Sequence, residues 1–304
     1  MTMSFTEFMQ HLANGISLGS LYALIAIGYT MVYGILRLIN FAHGDIFMLG
    51  AYLTYYAIVF TSIPWYIAFI LAAVITGIIG FLLERIAYRP LRDAQRITVL
   101  ISAIGASFFL QNFATVVFGG RPKAFPIPQL LNKIVNLGGV SINIVTFIIP
   151  AITIGLLIGL NYIINKTKTG MAMRALSKDY DTARLMGIDV NRIISITFFI
   201  GSFLAAVGGI MWGIKYPQLM PLMGSMPGVK CFIAAVIGGI GNINGTVISA
   251  VVVTAAMEIL RFLDSSINLG FIKIPGIPGM RMVIFSIIFM LVVIIRKDRL
   301  LKEN

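Results

Sequence analysis

Nine apolar runs, each near the roughly 20 residues that a helix needs to cross a bilayer, fill most of this chain: 11–36, 43–61, 65–84, 97–118, 143–164, 192–214, 226–243, 245–263 and 281–296. Inside hydrocarbon every backbone N–H and C=O must find a partner in the protein, which admits helices and closed barrels, and runs of this length specify helices. Composition agrees. Hydrophobic residues make up 59% of the 304 and charged residues 11%, against about 45–50% and 25% in soluble domains, and mean hydropathy is +0.96. The expected fold is all-α: a polytopic transmembrane helical bundle of about nine spans, one domain over residues 1–304. The run 226–243 is the weakest, being short and broken by Gly228, Gly238, Gly239 and Gly241. It reads as an interrupted or re-entrant helix lining a cavity, where loosened backbone still finds partners.

The formal charge of +12 would point to nucleic acid in a soluble protein, but no basic face with interleaved aromatics occurs. The cations instead gather between spans, which encodes orientation. Residues 84–96 carry Arg85, Arg89, Arg92 and Arg96; residues 165–192 carry Lys166, Lys168, Arg174, Lys178, Arg184 and Arg192; the tail carries Arg296, Lys297, Arg299 and Lys302. Placing all three in the cytoplasm sets the N-terminus outside and the C-terminus inside. The count between 192 and 296 must then be even, so 226–243 is expected to cross. With no Lys or Arg before Arg37, a cleaved signal peptide is not expected. The single cysteine, Cys231, excludes an internal disulfide and a cysteine-cluster metal site.

The longest loop on the outer side is 119–142, where Pro122, Pro126 and Pro128 favour extended backbone. Small residues recur within the spans, as in Gly15, Gly19 and Ala23 or Ala205, Gly208 and Gly209, spacings that let helices approach closely in lipid.

No catalytic set is visible: no phosphate-binding G-x-x-x-x-G-K-[ST] loop, no H-E-x-x-H and no G-x-S-x-G. No metal site and no enzyme activity are expected. "INFAHGD" (39–45) places Asn40, His43 and Asp45 between the first two spans. In one reading they gate or line the cytoplasmic mouth, since ionisable groups near the membrane merit a functional hypothesis. In the other, Asn40 caps a helix, Gly44 turns the chain, Asp45 complements the start of span two, and His43 bonds a free carbonyl of span one. Either way the layout puts these groups at a span boundary and no Asp or Glu at mid-span. Glu258 and Arg261, at i and i+3, either pair with each other or contact a zwitterionic solute. Asn112 and Lys230 are lesser path candidates on the same terms.

The connection 165–192, "NKTKTGMAMRALSKDYDTARLMGIDVNR", is patterned. After Gly170 it reads as one short helix over 174–188 with Leu176, Tyr180, Ala183 and Gly187 on a single tapering face. Arg174, Lys178, Asp181 and Arg184 fall on its charged side. Such a helix suits a groove on a partner, or lies on lipid headgroups.

"DTARLMGI" (181–188) resembles the E-A-A-x-x-x-G loop of ABC-importer permeases, with Asp181, Thr182 and Ala183 at the E-A-A positions and Gly187 at the glycine; Asp and Thr replace Glu and Ala. "NGISLGSLYALIAIGYTMVYGILRLINFAHGDIFMLGAY" (14–52) and "FIAAVIGGIGNINGTVISA" (232–250) resemble the LivH-type permeases of branched-chain amino-acid ABC importers. The resemblance implies a pore-forming subunit of a bacterial inner membrane with a related second, LivM-like permease. It implies two cytoplasmic ABC ATPases that use ATP and Mg, no cofactor on this chain, and an extracytoplasmic solute-binding protein. Residues 165–192 become the cytoplasmic coupling loop, with Leu176, Tyr180, Asp181, Thr182, Ala183 and Gly187 as ATPase-coupling residues. The solutes implied are leucine, isoleucine and valine, though relatives carry urea, amides or other amino acids. The rival class is a stand-alone secondary transporter or channel, which commonly places acids or histidines near mid-membrane.

Overall fold

The computed structural model describes residues 5–36, 39–61, 63–92, 94–137 and 140–260, with short pieces at 267–268, 273–274, 283–284, 286–287 and 290. The ninth apolar run is otherwise outside the described residues, as are the basic tail, Arg37 and Arg261.

Helix α1 (Phe5–Leu36) is the axis of the molecule, with 94% of its most apolar window buried by the chain itself. Around it stand α2 (His43–Thr61), α3 (Trp65–Leu83), α4 (Arg96–Phe118), α5 (Val145–Lys166), the short α6 (Lys168–Lys178) and α7 (Tyr180–Leu185), then α8 (Val190–Lys215), α9 (Ser225–Gly238) and α10 (Ile243–Ile259). Among the described residues six helices are long and apolar enough to cross a membrane, while α9 and α10 are shorter apolar helices. The bundle is the helical membrane fold that the apolar runs specify.

Lipid tails are as apolar as leucine, so helices here associate through close van der Waals contact and interhelical hydrogen bonds. The small residues supply that contact. A Cβ placed on Gly15 would lie 2.7 Å from the Cα of Ala255, and one on Gly19 2.6 Å from that of Val251, so α1 and α10 touch backbone to backbone. On the same seam the Thr30 and Thr246 hydroxyls bond at 2.7 Å. Gly50 of α2 meets Ala206 of α8 equally closely, at 2.6 Å.

Residues 84–92 and 168–194 share one end of the bundle. Arg92 donates to Asn191 at 2.6 Å and pairs with the fully buried Glu84, whose other oxygen accepts from Ser195 at 2.5 Å. Strand β1 (Lys123–Ala124), the β2 (Ile134–Leu137) and β3 (Val140–Asn143) hairpin, and β4 (Gln218–Leu219) belong to the opposite end. There β1 pairs antiparallel with β4, Lys123 opposite Leu219 and Ala124 opposite Gln218. This two-ended distribution is what the counting of basic segments requires, with α4 and α5 between the two loops of one end.

Two helices do not begin at an end. Gly201 of α8 lies against Gly28 of α1 and the His43 ring, some 16 Å from the start of α8 at 1.5 Å per residue. Helix α2 therefore starts near mid-depth, not at the boundary that the sequence places it on, and the chain after α1 turns back into the bundle to reach it. Helix α9 starts at the same level, since Gly228 in its first turn sits 3.3 Å from where a Cβ of Gly44 would be. Between β4 and Ser225 the chain descends without regular helix. The run 226–243 therefore holds one short, continuous helix that starts at mid-depth and ends at Gly238, with Gly239 and Gly241 at positive φ beyond it; the break in regular helix falls before Ser225, not at the glycines.

Candidate functional site: a cavity where two helices begin

The two mid-depth starts face each other. Gly44 and Gly224 are in backbone contact, and both positions exclude a side chain, because a Cβ on either would strike the other's carbonyl group. The Tyr29 hydroxyl lies beside this junction, 3.2 Å from a Cβ built on Gly228. Helix α2 runs from this point toward the β1–β4 end and α9 toward the other, so two positive dipole ends meet inside the membrane.

Next to that junction is a cavity of about 230 Å³. Its polar wall is Asp45, Ser107, Gln111 and Ser225, and its apolar wall includes Tyr29, Phe41, Val229 and Phe232. Asp45 is 2% exposed. Its carboxylate accepts from the Ser107 hydroxyl at 2.5 Å and from the Gln111 side-chain amide at 3.0 Å, and Gln111 also donates to Ser107 at 3.2 Å. A buried carboxylate needs such donors, and an ionised one offers about four acceptor positions, of which these bonds use two. The mouth lies between Phe41, which is 40% exposed, and Val229, which is 55% exposed. A crevice between α3, α5 and α8, of about 320 Å³, is lined only by apolar groups such as Val74, Leu156, Phe199 and Phe203, and offers a polar solute nothing.

The three polar residues of 39–45 are thereby brought together but divide their roles. Asn40 does not cap a helix with its side chain: its Oδ1 accepts from the Tyr88 hydroxyl at 2.7 Å, and its buried Nδ2 has no partner among the described residues. His43 bonds the Ile25 carbonyl at 3.1 Å, a carbonyl of span one as expected, but one in mid-helix rather than a free terminal one. Gly44 is inside the first turn of α2 and serves close approach instead of turning the chain. Asp45 reaches across to α4. It is an acid at mid-depth where none was expected, because the segment dips inward. Ser107 and Gln111, four residues apart on one face of α4, are the sequence signal that points to this carboxylate.

The other path candidates lie apart from this cavity. Asn112 is exposed and bonds its own helix at Phe108. Lys230 is half-buried on α9 and outside the lining. Glu258 sits beside Gly15 and within electrostatic reach of Lys215 on α8, while Arg261, its expected partner, lies outside the described residues.

The connection 165–192 is two helices, not one. Asp179 breaks them: it closes α6 and caps α7, its carboxylate accepting the Thr182 N–H at 3.0 Å and the Thr182 hydroxyl at 2.5 Å. These bonds hold its carboxyl below the usual range. Gly187 is on no helical face; it ends α7 at φ +81°, a left-handed position that favours glycine. The face expected to meet a partner is turned inward. Leu176 is 2% exposed and Ala183 4%, packed with Tyr88, Val99 and Ile194, and Tyr180 leans on the same cluster. Asp181 and Thr182 are exposed. What projects is the pair Leu185 and Met186, at 86% and 79%.

The chain matches the family model described as branched-chain amino acid transport system / permease component over residues 11–293. It is 40% identical to the high-affinity branched-chain amino acid transport system permease protein BraD of Pseudomonas aeruginosa, across 82% of this chain and 85% of that one. It is 41% identical to LivH of Escherichia coli strain K12, across 84% of this chain and 87% of that one. A probable branched-chain amino acid transport permease protein LivH of Methanocaldococcus jannaschii is 25% identical over 86% of this chain. With a helical bundle whose polar cavity lies at mid-depth, these matches make the chain a transport component and a member of the branched-chain amino acid transport system permease family.

Proposed function

We propose that this chain is the membrane-spanning permease subunit of an ABC importer that carries leucine, isoleucine and valine inward by ATP-driven alternating access. The observation that carries this reading is the family match across 11–293, together with relatives near 40% identity named for high-affinity branched-chain amino acid transport. ATP and Mg belong to two cytoplasmic ATPase subunits; a second, LivM-like permease completes the path and an extracytoplasmic binding protein delivers the solute. Residues 1–304 act as one permease domain, with the C-terminus and residues 165–192 in the cytoplasm of an inner-membrane protein and the N-terminus outside.

The coupling surface is the tip of α7. Leu185 and Met186 are large, apolar and almost fully exposed, which soluble surfaces avoid unless a partner covers them. Gly187 beside them has open space at its Cβ position. Leu176, Tyr180 and Ala183 act from behind, seating α6 and α7 on the core so that a push at the tip reaches α8 and the π-helical segment Glu84–Tyr88.

Co-purification from native membranes, then reconstitution with ATP enclosed, tests the class: ATPases and a second permease should come down together and sustain leucine uptake. A well-folded chain recovered alone, or uptake indifferent to ATP, would instead favour a secondary transporter. For orientation, a cysteine placed at the exposed Lys178, with Cys231 removed, should react only from the cytoplasmic side; labelling from outside would reverse the topology.

A further inference from the structure

We propose that the cavity between the starts of α2 and α9 is the transit site for the solute's amino-acid head group, with Asp45 receiving the α-ammonium and the α9 start receiving the α-carboxylate. The proposal rests on the importer reading above and assigns the residues that reading leaves open.

Charge balance points to this ligand class. Each helix start is equivalent to roughly half a positive charge, and two of them converge on one buried carboxylate. The cavity is close to neutral overall yet strongly dipolar. A simple cation would meet the two helix ends and a simple anion would meet Asp45, whereas a zwitterion satisfies both. No Lys, Arg or His lines the cavity among the described residues, so the acid is not already consumed by a permanent counter-ion.

Geometry supplies the rest. Ser107 and Gln111 fix the Asp45 carboxylate from the α4 side, leaving acceptor positions for an ammonium. At the start of α9 the Ser225 side chain belongs to the cavity lining, and its hydroxyl can donate. A carboxylate at that turn therefore meets that donor and the dipole together. The side chain is left to Phe41, Val229 and Phe232 at the apolar wall. At about 230 Å³ the volume falls below the roughly 300–1,000 Å³ of drug-sized pockets and suits one small metabolite. An apolar wall of this kind discriminates weakly among leucine, isoleucine and valine, since one methylene changes binding by only about 10–200-fold.

The test uses the reconstituted complex. Val229→Cys in a Cys231→Ser background is labelled with a thiol reagent, with excess leucine or with 4-methylpentanoate, which has the same side chain and no ammonium. Leucine should slow labelling, 4-methylpentanoate should not, and Asp45→Asn should remove the protection and lower leucine uptake by about tenfold or more, the weight of one charge-assisted hydrogen bond. Leucine that gives no protection to a complex that transports it, equal protection by both compounds, or full protection in Asp45→Asn would overturn the site. If Asp45→Asn fails to assemble, Val229→Phe decides: uptake near the unsubstituted level refutes the assignment, and loss with assembly intact supports it. A complex with neither substitution that moves none of the three amino acids would refute the solute reading instead.

Discussion

Gly28→Ala tests the mid-depth start of α2 most directly. A Cβ at Gly28 would occupy the place of the His43 imidazole, at its Nε2 and Cε1, and would stand 3.2 Å from the Gly201 carbonyl. The ring has no room to retreat: His43 is 1% exposed, and Tyr29 meets it edge-on with centroids 4.7 Å apart. Forcing one methyl into such a site costs about 1–3 kcal/mol. Displacing the ring also breaks its bond to the Ile25 carbonyl and strands a buried polar nitrogen, for about 1–3 kcal/mol more. Alanine recovers about 1 kcal/mol of helix propensity over glycine. The balance is a loss of about 1–5 kcal/mol, with the sign set by packing. Gly155→Ala is the control, because a Cβ there meets nothing within 4 Å and only the propensity gain remains. Unfolding of the detergent-purified chain, followed by intrinsic tryptophan fluorescence, reads both. Adding His43→Ala to Gly28→Ala should recover part of the loss, because the two positions are coupled through one contact. A Gly28→Ala protein as stable as the unsubstituted one, or a Gly155→Ala protein that falls with it, would refute the placement of His43.

If the proposed coupling surface is right, Met186→Arg should abolish uptake while leaving insertion and abundance unchanged, since the residue is 79% exposed and outside the packed core; normal uptake in reconstituted vesicles would move the coupling surface elsewhere. Asp179 gives a pH signature. Its carboxyl is held below the ordinary value by the Thr182 side-chain and backbone bonds, so the cap's contribution is present above that ordinary value and fades as pH falls through the depressed one. The protection factor of the α7 amides, their exchange rate relative to an unstructured peptide at the same pH, should therefore be highest at neutral pH and fall in acid. Asp179→Asn should keep the cap without the pH dependence, and Asp179→Ala should lose protection at every pH. An unchanged exchange profile in Asp179→Ala would remove the capping role.

Hydropathy made the spans legible, and glycine spacing made the α1–α10 seam legible, because both are properties of which residues occur. Depth is a different quantity. Ile39, Phe41 and Ala42 are apolar and extend the run around Asn40 and His43, so composition alone cannot tell a loop at the boundary from one folded back inside. The connection 165–192 poses the same limit in another form. Its apolar face was visible, but an apolar face carries no mark of whether its own bundle or a second protein covers it. The break at Asp179 was readable as a cap three residues before a threonine, and the tapering face hid it. Glu84 stands where the third apolar run meets the basic segment, and its burial depends on Ser195, more than a hundred residues away.

The β1–β4 pairing has a mechanical consequence. Lys123 beside it donates to the Tyr56 hydroxyl at 2.7 Å, and its ammonium lies over the Tyr56 ring at 4.9 Å. One short strap thus ties the far end of α2 to the chain that leads into α9. The leash from Leu219 to Ser225 can reach no more than about 20 Å when taut. The halves of the bundle at the β1–β4 end are therefore laced together, and a swing that parts the two helix starts has its free play at the opposite end, where the π-helical segment Glu84–Tyr88 and the tip of α7 sit. The molecule is hinged on one side like a clasp. A protein docking against the strap would loosen or tighten that hinge without ever entering the membrane.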